Sequence, residues 1–207
     1  MTSVTFDPET HIYTVLGKKV PSVTQIVAPF GDDYDEPDEQ MELAYDVAAE
    51  RGTVMHAYLA HRLQGGDPPD FELPGTYEPY AEAVEQFLSE HEVVPYDIEV
   101  PFGTVNLAGT PDLVCEFDGV LSILDWKFVS QIAKSKVGAQ LAGYAYLCEC
   151  NHVFPEKLFA VQFLRDSYRL YPVGWDAAQE AFFAAFRIYD IKTEKHPRGR
   201  IFEEDKK

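Results

Sequence analysis

Asp118-Gly119 stands between two apolar runs, residues 113–117 and 120–124, and this dipeptide constrains the chain more than any other feature. A two-residue type I′ turn needs positive φ at both central positions, which Asp-Gly supplies, so the stretch predicts a β-hairpin of fixed register. Phe117 then pairs with Val120, Leu113 with Leu124, Val114 with Ile123, and Asp112 faces Asp125. Both faces of this hairpin are largely apolar, which predicts a sheet covered on both sides.

Lys127 follows Asp125 by two residues and so shares its face. Two opposed carboxylates about 5 Å apart repel each other, and a cation has to offset them. Two readings are open here. In one, the aspartates sit at a solvated strand end with Lys127 as an exposed salt-bridge partner. In the other, favoured by the apolar setting Ile123-Leu124-Asp125-Trp126-Lys127-Phe128, the acids hold a hard divalent ion. Mg²⁺ takes one or two carboxylates plus water and phosphate oxygens. A lysine beside it could orient or deprotonate a water, or hold a phosphate oxygen. That is an inventory for phosphodiester hydrolysis.

The rest of the chain supplies a frame for this hairpin. Residues 3–21 alternate around two turn signals and predict a small N-terminal β-hairpin or meander, with Ser22 as N-cap of a short helix. An acidic, Pro-containing loop over 31–40 precedes a helix over 39–62, a linker over 63–74 and a helix over 77–92. Strands are predicted over 96–103, 110–117 and 120–128, then a helix over 136–150, strands over 157–165 and 168–174, and a last helix over 176–193. The order describes one α/β domain over residues 1–207 with a mixed central sheet flanked by helices. Within it, 1–36 form the hairpin and acidic loop, 37–195 the core and 196–207 a tail.

Charge narrows the function classes. Residues 1–99 carry four Lys/Arg against 21 Asp/Glu, whereas residues 100–207 carry 13 against 14. Such a balance argues against a broadly basic nucleic-acid surface but leaves room for a small basic channel or a metal-bridged site. Three cysteines are too few for a disulfide framework and fit a reducing compartment. No run of eighteen or more apolar residues occurs, and the first residues lack the layout of a signal peptide, so no membrane partner is expected.

Gly-Thr-Pro-Asp112-Leu-Val followed by Asp125-Trp-Lys127 resembles the PD-(D/E)xK nuclease superfamily. Further elements resemble its RecB-like and lambda-exonuclease-like branch: Gly52-x-x-x-His56 on a helix, Glu99 ahead of the hairpin, and Gln140-x-x-x-Tyr144 on the following helix. The resemblance implies a restriction-endonuclease-like core. It implies that His56, Asp112 and Asp125, with the main-chain carbonyl of Trp126, bind Mg²⁺ or Mn²⁺. Lys127 would then serve the attacking water, Glu99 would support the site, and Gln140 and Tyr144 would border it. Read alone, His56 is an ordinary packed or surface histidine, and Gln140 and Tyr144 a core-edge pair. Lys134 and Lys136 before that helix form either a phosphate seat or a solvated loop. Ser22 and Thr24 either touch substrate, as the resemblance implies, or cap a helix.

The expectation is a metal-dependent DNA nuclease, an exonuclease on linear DNA ends in recombination or repair. Its setting would be the cytoplasm of a bacterial cell or phage-infected host. A single-strand annealing or other recombination protein and a homo-oligomer are the further partners the resemblance implies. The competing expectation is a catalytically inactive nuclease-fold protein that binds DNA or a basic protein; a third, compatible with catalysis, makes the acidic half a docking face for a basic protein or a DNA mimic. Adaptation to high salt would also account for the charge.

Overall fold

The computed structural model describes residues 3–30 and 39–193, with side chains of the second stretch from residue 46 onward. The expected acidic loop over 31–40 falls almost wholly, and the expected tail over 196–207 wholly, outside the described residues.

Strands β4 (Val93–Ile98), β7 (Leu113–Phe117), β8 (Val120–Lys127), β9 (Lys157–Leu164) and β10 (Ser167–Pro172) form the central sheet in the order β10-β9-β8-β7-β4. Only β8 and β9 are parallel, and the connection between them carries helix α4 (Lys134–Cys150). The turn at Asp118-Gly119 has φ of 48° and 80°, and the ladder pairs Phe117 with Val120 and Leu113 with Leu124, as the dipeptide dictates.

Side chains alternate across this sheet, and each face meets its own layer. Val114, Ile123, Leu158 and Ala160 pack under α4, α1 (Val23–Val27) and α5 (Trp175–Lys192). Leu113, Leu124, Trp126, Val161 and Phe163 pack against α2 (Glu39–Leu63) and α3 (Glu78–Glu90) through Met55, Leu59, Val84 and Phe87. No helix among the described residues is long and apolar enough to cross a membrane.

Two boundaries differ from the sequence reading, and the N-terminal meander is as expected. The strand expected over 96–103 is two strands: β4 begins earlier, at Val93, and β5 (Phe102–Thr104) pairs with β6 (Leu107–Gly109) in a separate ribbon. Pro95 is accommodated because β4 is an edge strand and its register with β7 shifts between Pro95 and Asp97. Glu99 at φ 51°, followed by Pro101, ends β4. The strand expected from residue 110 begins only at Leu113, since Pro111 has no N–H for the ladder. At the N-terminus the meander is three-stranded, β1 (Val4–Asp7), β2 (Ile12–Val15) and β3 (Lys18–Val20).

Candidate active site

Asp125 points from β8 into the layer under α4 and is fully buried. Gln140, near the start of α4, donates from Nε2 to its Oδ1 at 3.0 Å, and also to the Tyr144 hydroxyl one turn along at 3.0 Å. Lys127 Nζ stands 2.5 Å from the other oxygen, Oδ2, which receives no directed hydrogen bond. Burial pulls the Lys127 ammonium down, but the charges of Asp125 and Asp112 outweigh it and hold it above the ordinary lysine value. These four residues form one buried polar group on the sheet face that β8 shares with α4. Tyr144 fits because residue 109 is glycine: a Cβ there would sit 2.9 Å from its ring.

Asp112 departs from the expected cross-strand pair. It lies in a bend just before β7, and its Oδ2 accepts the main-chain N–H of Trp126 at 2.8 Å. Its own carbonyl accepts the N–H of Glu99 at 3.1 Å. The two aspartates therefore converge through a side chain clamped on β8 rather than through strand pairing. Burial first, and then the charge of Asp125, push the Asp112 carboxyl up to about 6.

His56 arrives from α2, on the other side of the sheet. Its Nδ1 lies 3.7 Å from Asp112 Oδ1 and 3.8 Å from Glu99 Oε1. Burial pushes the imidazole down, and Asp112 and Glu99 more than restore it, leaving it above the ordinary histidine value. The imidazole in turn holds the half-exposed Glu99 below the usual carboxylate range, against burial. A non-glycine residue at positive φ is uncommon and costs backbone strain; at Glu99 that conformation accompanies a carboxylate aimed at His56.

The structure thus brings together His56, Glu99, Asp112, Asp125, Lys127, Gln140 and Tyr144, with Trp126 contributing its N–H and burying its ring in the opposite layer. It gives the other four a different setting. Ser22 caps α1, its Oγ accepting the Gln25 N–H at 3.1 Å, while Gln25 Oε1 accepts the Ser22 N–H at 3.0 Å; Thr24 hydroxyl lies 2.9 Å from that Oγ. Lys134 and Lys136 sit in the first turn of α4, where Lys134 Nζ lies 5.3 Å over the Tyr171 ring. Lys134 borders a cavity of about 430 Å³ between the starts of α4 and α5, on the side of β9 and β10.

Sequence reasoning missed three residues around the site. Tyr13 of β2 shares a 2.8 Å hydroxyl contact with Thr110, two residues before Asp112. Arg51 of α2 and Gln162 of β9 bind the main chain just after Lys127. A glutamine in the apolar run Phe159–Leu164 was a signal of the last.

Among the described residues, no three His, Cys, Asp or Glu side chains stand ready to hold a metal ion unaided. The donors nevertheless suit a hard divalent ion in kind. Asp112 and Glu99 each bring a carboxylate oxygen within 3.8 Å of His56 Nδ1, and buried Asp125 Oδ2 has only the ammonium of Lys127 beside it.

A family model described as PD-(D/E)XK nuclease superfamily matches residues 72–169, the segment that contains Glu99, Asp112, Asp125, Lys127, Gln140 and Tyr144. Among solved structures, a candidate exonuclease from Eubacterium rectale superposes with a TM-score of 0.51 at 12% identity, covering 91% of each chain. An alkaline exonuclease from Laribacter hongkongensis aligns at 13% identity over 86% of this chain and 92% of its own, with a TM-score of 0.37. No curated protein matches the chain.

Proposed function

We propose that this chain, whose residues 72–169 match the PD-(D/E)XK nuclease superfamily model, is a divalent-metal-dependent deoxyribonuclease of the RecB-like, lambda-exonuclease-like branch. It acts from the ends of linear DNA. The observation that carries the proposal is the buried group of Asp125, Lys127 and Gln140, with Asp112 clamped onto the same strand.

His56, Asp112 and Asp125, with the Trp126 carbonyl, are the residues that would hold Mg²⁺ or Mn²⁺. Bound there, such an ion supplies Lewis-acid polarisation of a phosphoryl oxygen and lowers the pKa of a water. Lys127 orients the attacking water and holds its ammonium against the charge that develops on the phosphate. Gln140 fixes Asp125 in one rotamer by taking Oδ1, and Tyr144 accepts from the same amide, so the carboxylate presents Oδ2 to the site. Glu99 holds the His56 ring and adds negative charge beside it. Lys134, Lys136, Ser22 and Thr24 are proposed phosphate contacts of the DNA track.

A process that consumes DNA ends fits recombination or repair in the cytoplasm of a bacterial cell or phage-infected host. A recombination protein as partner and a homo-oligomer belong to the same proposal. A second reading, a nuclease fold that binds a basic protein without turnover, draws on the acidity of the chain: residues 63–126 contain 14 Asp/Glu and no Lys/Arg.

The test is digestion of linear DNA, single- and double-stranded, beside a closed circle, with Mg²⁺, Mn²⁺ or EDTA. Shortening of the linear forms with the circle intact is the expected result. A cut circle makes the enzyme an endonuclease, and intact DNA under every metal favours the second reading.

A further inference from the structure

β8 ends at Lys127, and the next three main-chain carbonyls are all taken by side chains from other elements. Arg51, on α2, donates from Nε and Nη2 to Phe128 O at 3.0 and 2.7 Å, with its guanidinium 5.0 Å over the Tyr80 ring. Gln162, the neighbour of Lys127 in register on β9, donates from Nε2 to Val129 O at 2.8 Å and to Ser130 O at 3.0 Å. Tyr171 donates its hydroxyl to Gln162 Oε1 at 3.1 Å, which turns the amide nitrogen towards those carbonyls.

Gln162 is 2% exposed. A buried amide costs free energy unless its hydrogen bonds are met, so packing alone would favour an aliphatic residue among Ala160, Val161 and Phe163. What the amide adds is direction. It fixes the chain exit from the α4 side of the sheet, while the rigid fork of Arg51 fixes it from the α2 side. Arg51 also ties α2 to the end of β8 five residues before His56, which sets the approach of that ring to Asp112.

We propose that Arg51 and Gln162 are positioning residues for the nuclease reaction, a two-sided clamp that holds the strand exit and with it the Lys127 ammonium against Asp125. The proposal rests on the nuclease reading. Neither residue touches the reacting atoms; both act through the backbone of residues 128–130. Displacing a catalytic group on the order of 1 Å can cost about 100-fold in rate, so loosening the clamp lowers kcat and leaves DNA binding in place.

The variants are Arg51→Lys, Gln162→Met and Tyr171→Phe, with Arg62→Met as a control that breaks a remote ion pair with Glu85. The first two are expected to lose about 10- to 100-fold in kcat, Tyr171→Phe less, with KM for DNA within about twofold. Millimolar guanidinium restores part of the activity of Arg51→Ala. A second readout needs no turnover: the ¹⁵N resonance of the Lys127 ammonium shifts or broadens in Gln162→Met and Arg51→Lys but not in Arg62→Met. Wild-type kcat in folded Arg51→Lys and Gln162→Met overturns the proposal, as does a loss no larger than that of Arg62→Met at equal stability. If the wild type cuts no DNA, the nuclease reading fails instead. The ammonium resonance then decides the clamp by itself, and an unchanged signal overturns it. Should Gln162→Met not fold, Arg51→Lys and Tyr171→Phe carry the same comparison.

Discussion

Lys127 Nζ lies 2.5 Å from Asp125 Oδ2 on one face of β8, in a largely apolar layer whose other buried polar side chains nearby are Gln140 and Gln162. Breaking a buried pair by removing one partner leaves the other charge uncompensated and costs about 3–5 kcal/mol, more than replacing both. Lys127→Met and Asp125→Leu are each expected to lower the urea midpoint, and the double variant to recover part of the loss. A double variant as unstable as the sum of the singles contradicts a coupled pair.

A divalent ion that binds the native state stabilises it by mass action, by about 2.7 kcal/mol when present at 100 times its Kd. Mg²⁺ or Mn²⁺ is expected to raise the Tm of the wild type, EDTA to reverse the rise, and Asp112→Asn to abolish it. A Tm that ignores both metals contradicts the ligand set.

Stability at acid pH has a site away from the catalytic group. Arg62 donates to both Glu85 oxygens, at 2.7 and 2.8 Å, and the Tyr58 hydroxyl donates to Oε1 at 2.7 Å. Burial raises the Glu85 carboxyl, but these bonds together hold it below its ordinary value of 4.5. A carboxyl depressed in the folded state contributes stability that is full above the ordinary value and is lost as pH falls through the folded one. Glu85→Gln is therefore expected to be less stable than wild type at neutral pH and to converge with it in acid. A gap that stays constant from neutral to acid pH, by urea unfolding, contradicts this.

Phe87 is fully buried and meets Phe117, Trp126, Phe163 and Tyr168 at centroid distances of 5.9, 5.8, 5.7 and 5.2 Å. Truncating such a ring costs about 3–5 kcal/mol. Phe87→Ala is expected to lower stability by that amount in denaturant titrations while keeping the metal-induced rise in Tm wherever it remains folded. Loss of under 1 kcal/mol would mean that the ring cluster does not carry the α3 layer.

The hairpin was legible because Asp118-Gly119 admits one turn and one register, and the register places Asp125 and Lys127 on one face without further information. Helical spacing put Gln140 and Tyr144 on one face, and only the resemblance put that face at the site. The role of Asp112 was legible in part: its nearness to Asp125 was predicted, but the clamp on the Trp126 N–H was not, because Pro111 ends the ladder one pair early. The contacts of Arg51 and Gln162 were invisible, since a bond from a side chain to a distant carbonyl leaves no periodic trace. The split of residues 96–103 into two strands depended on a positive φ at Glu99, a residue whose type does not announce one.

The most direct measurement of the central claim is single-turnover cleavage of end-labelled linear DNA by wild type, Asp125→Asn and Lys127→Ala, each with Mg²⁺, Mn²⁺ and EDTA. The account predicts cutting by the wild type with metal alone and a loss of about 100-fold or more in both variants, each of which still folds. Cleavage that survives in EDTA, or that proceeds at wild-type rate in either folded variant, would contradict it.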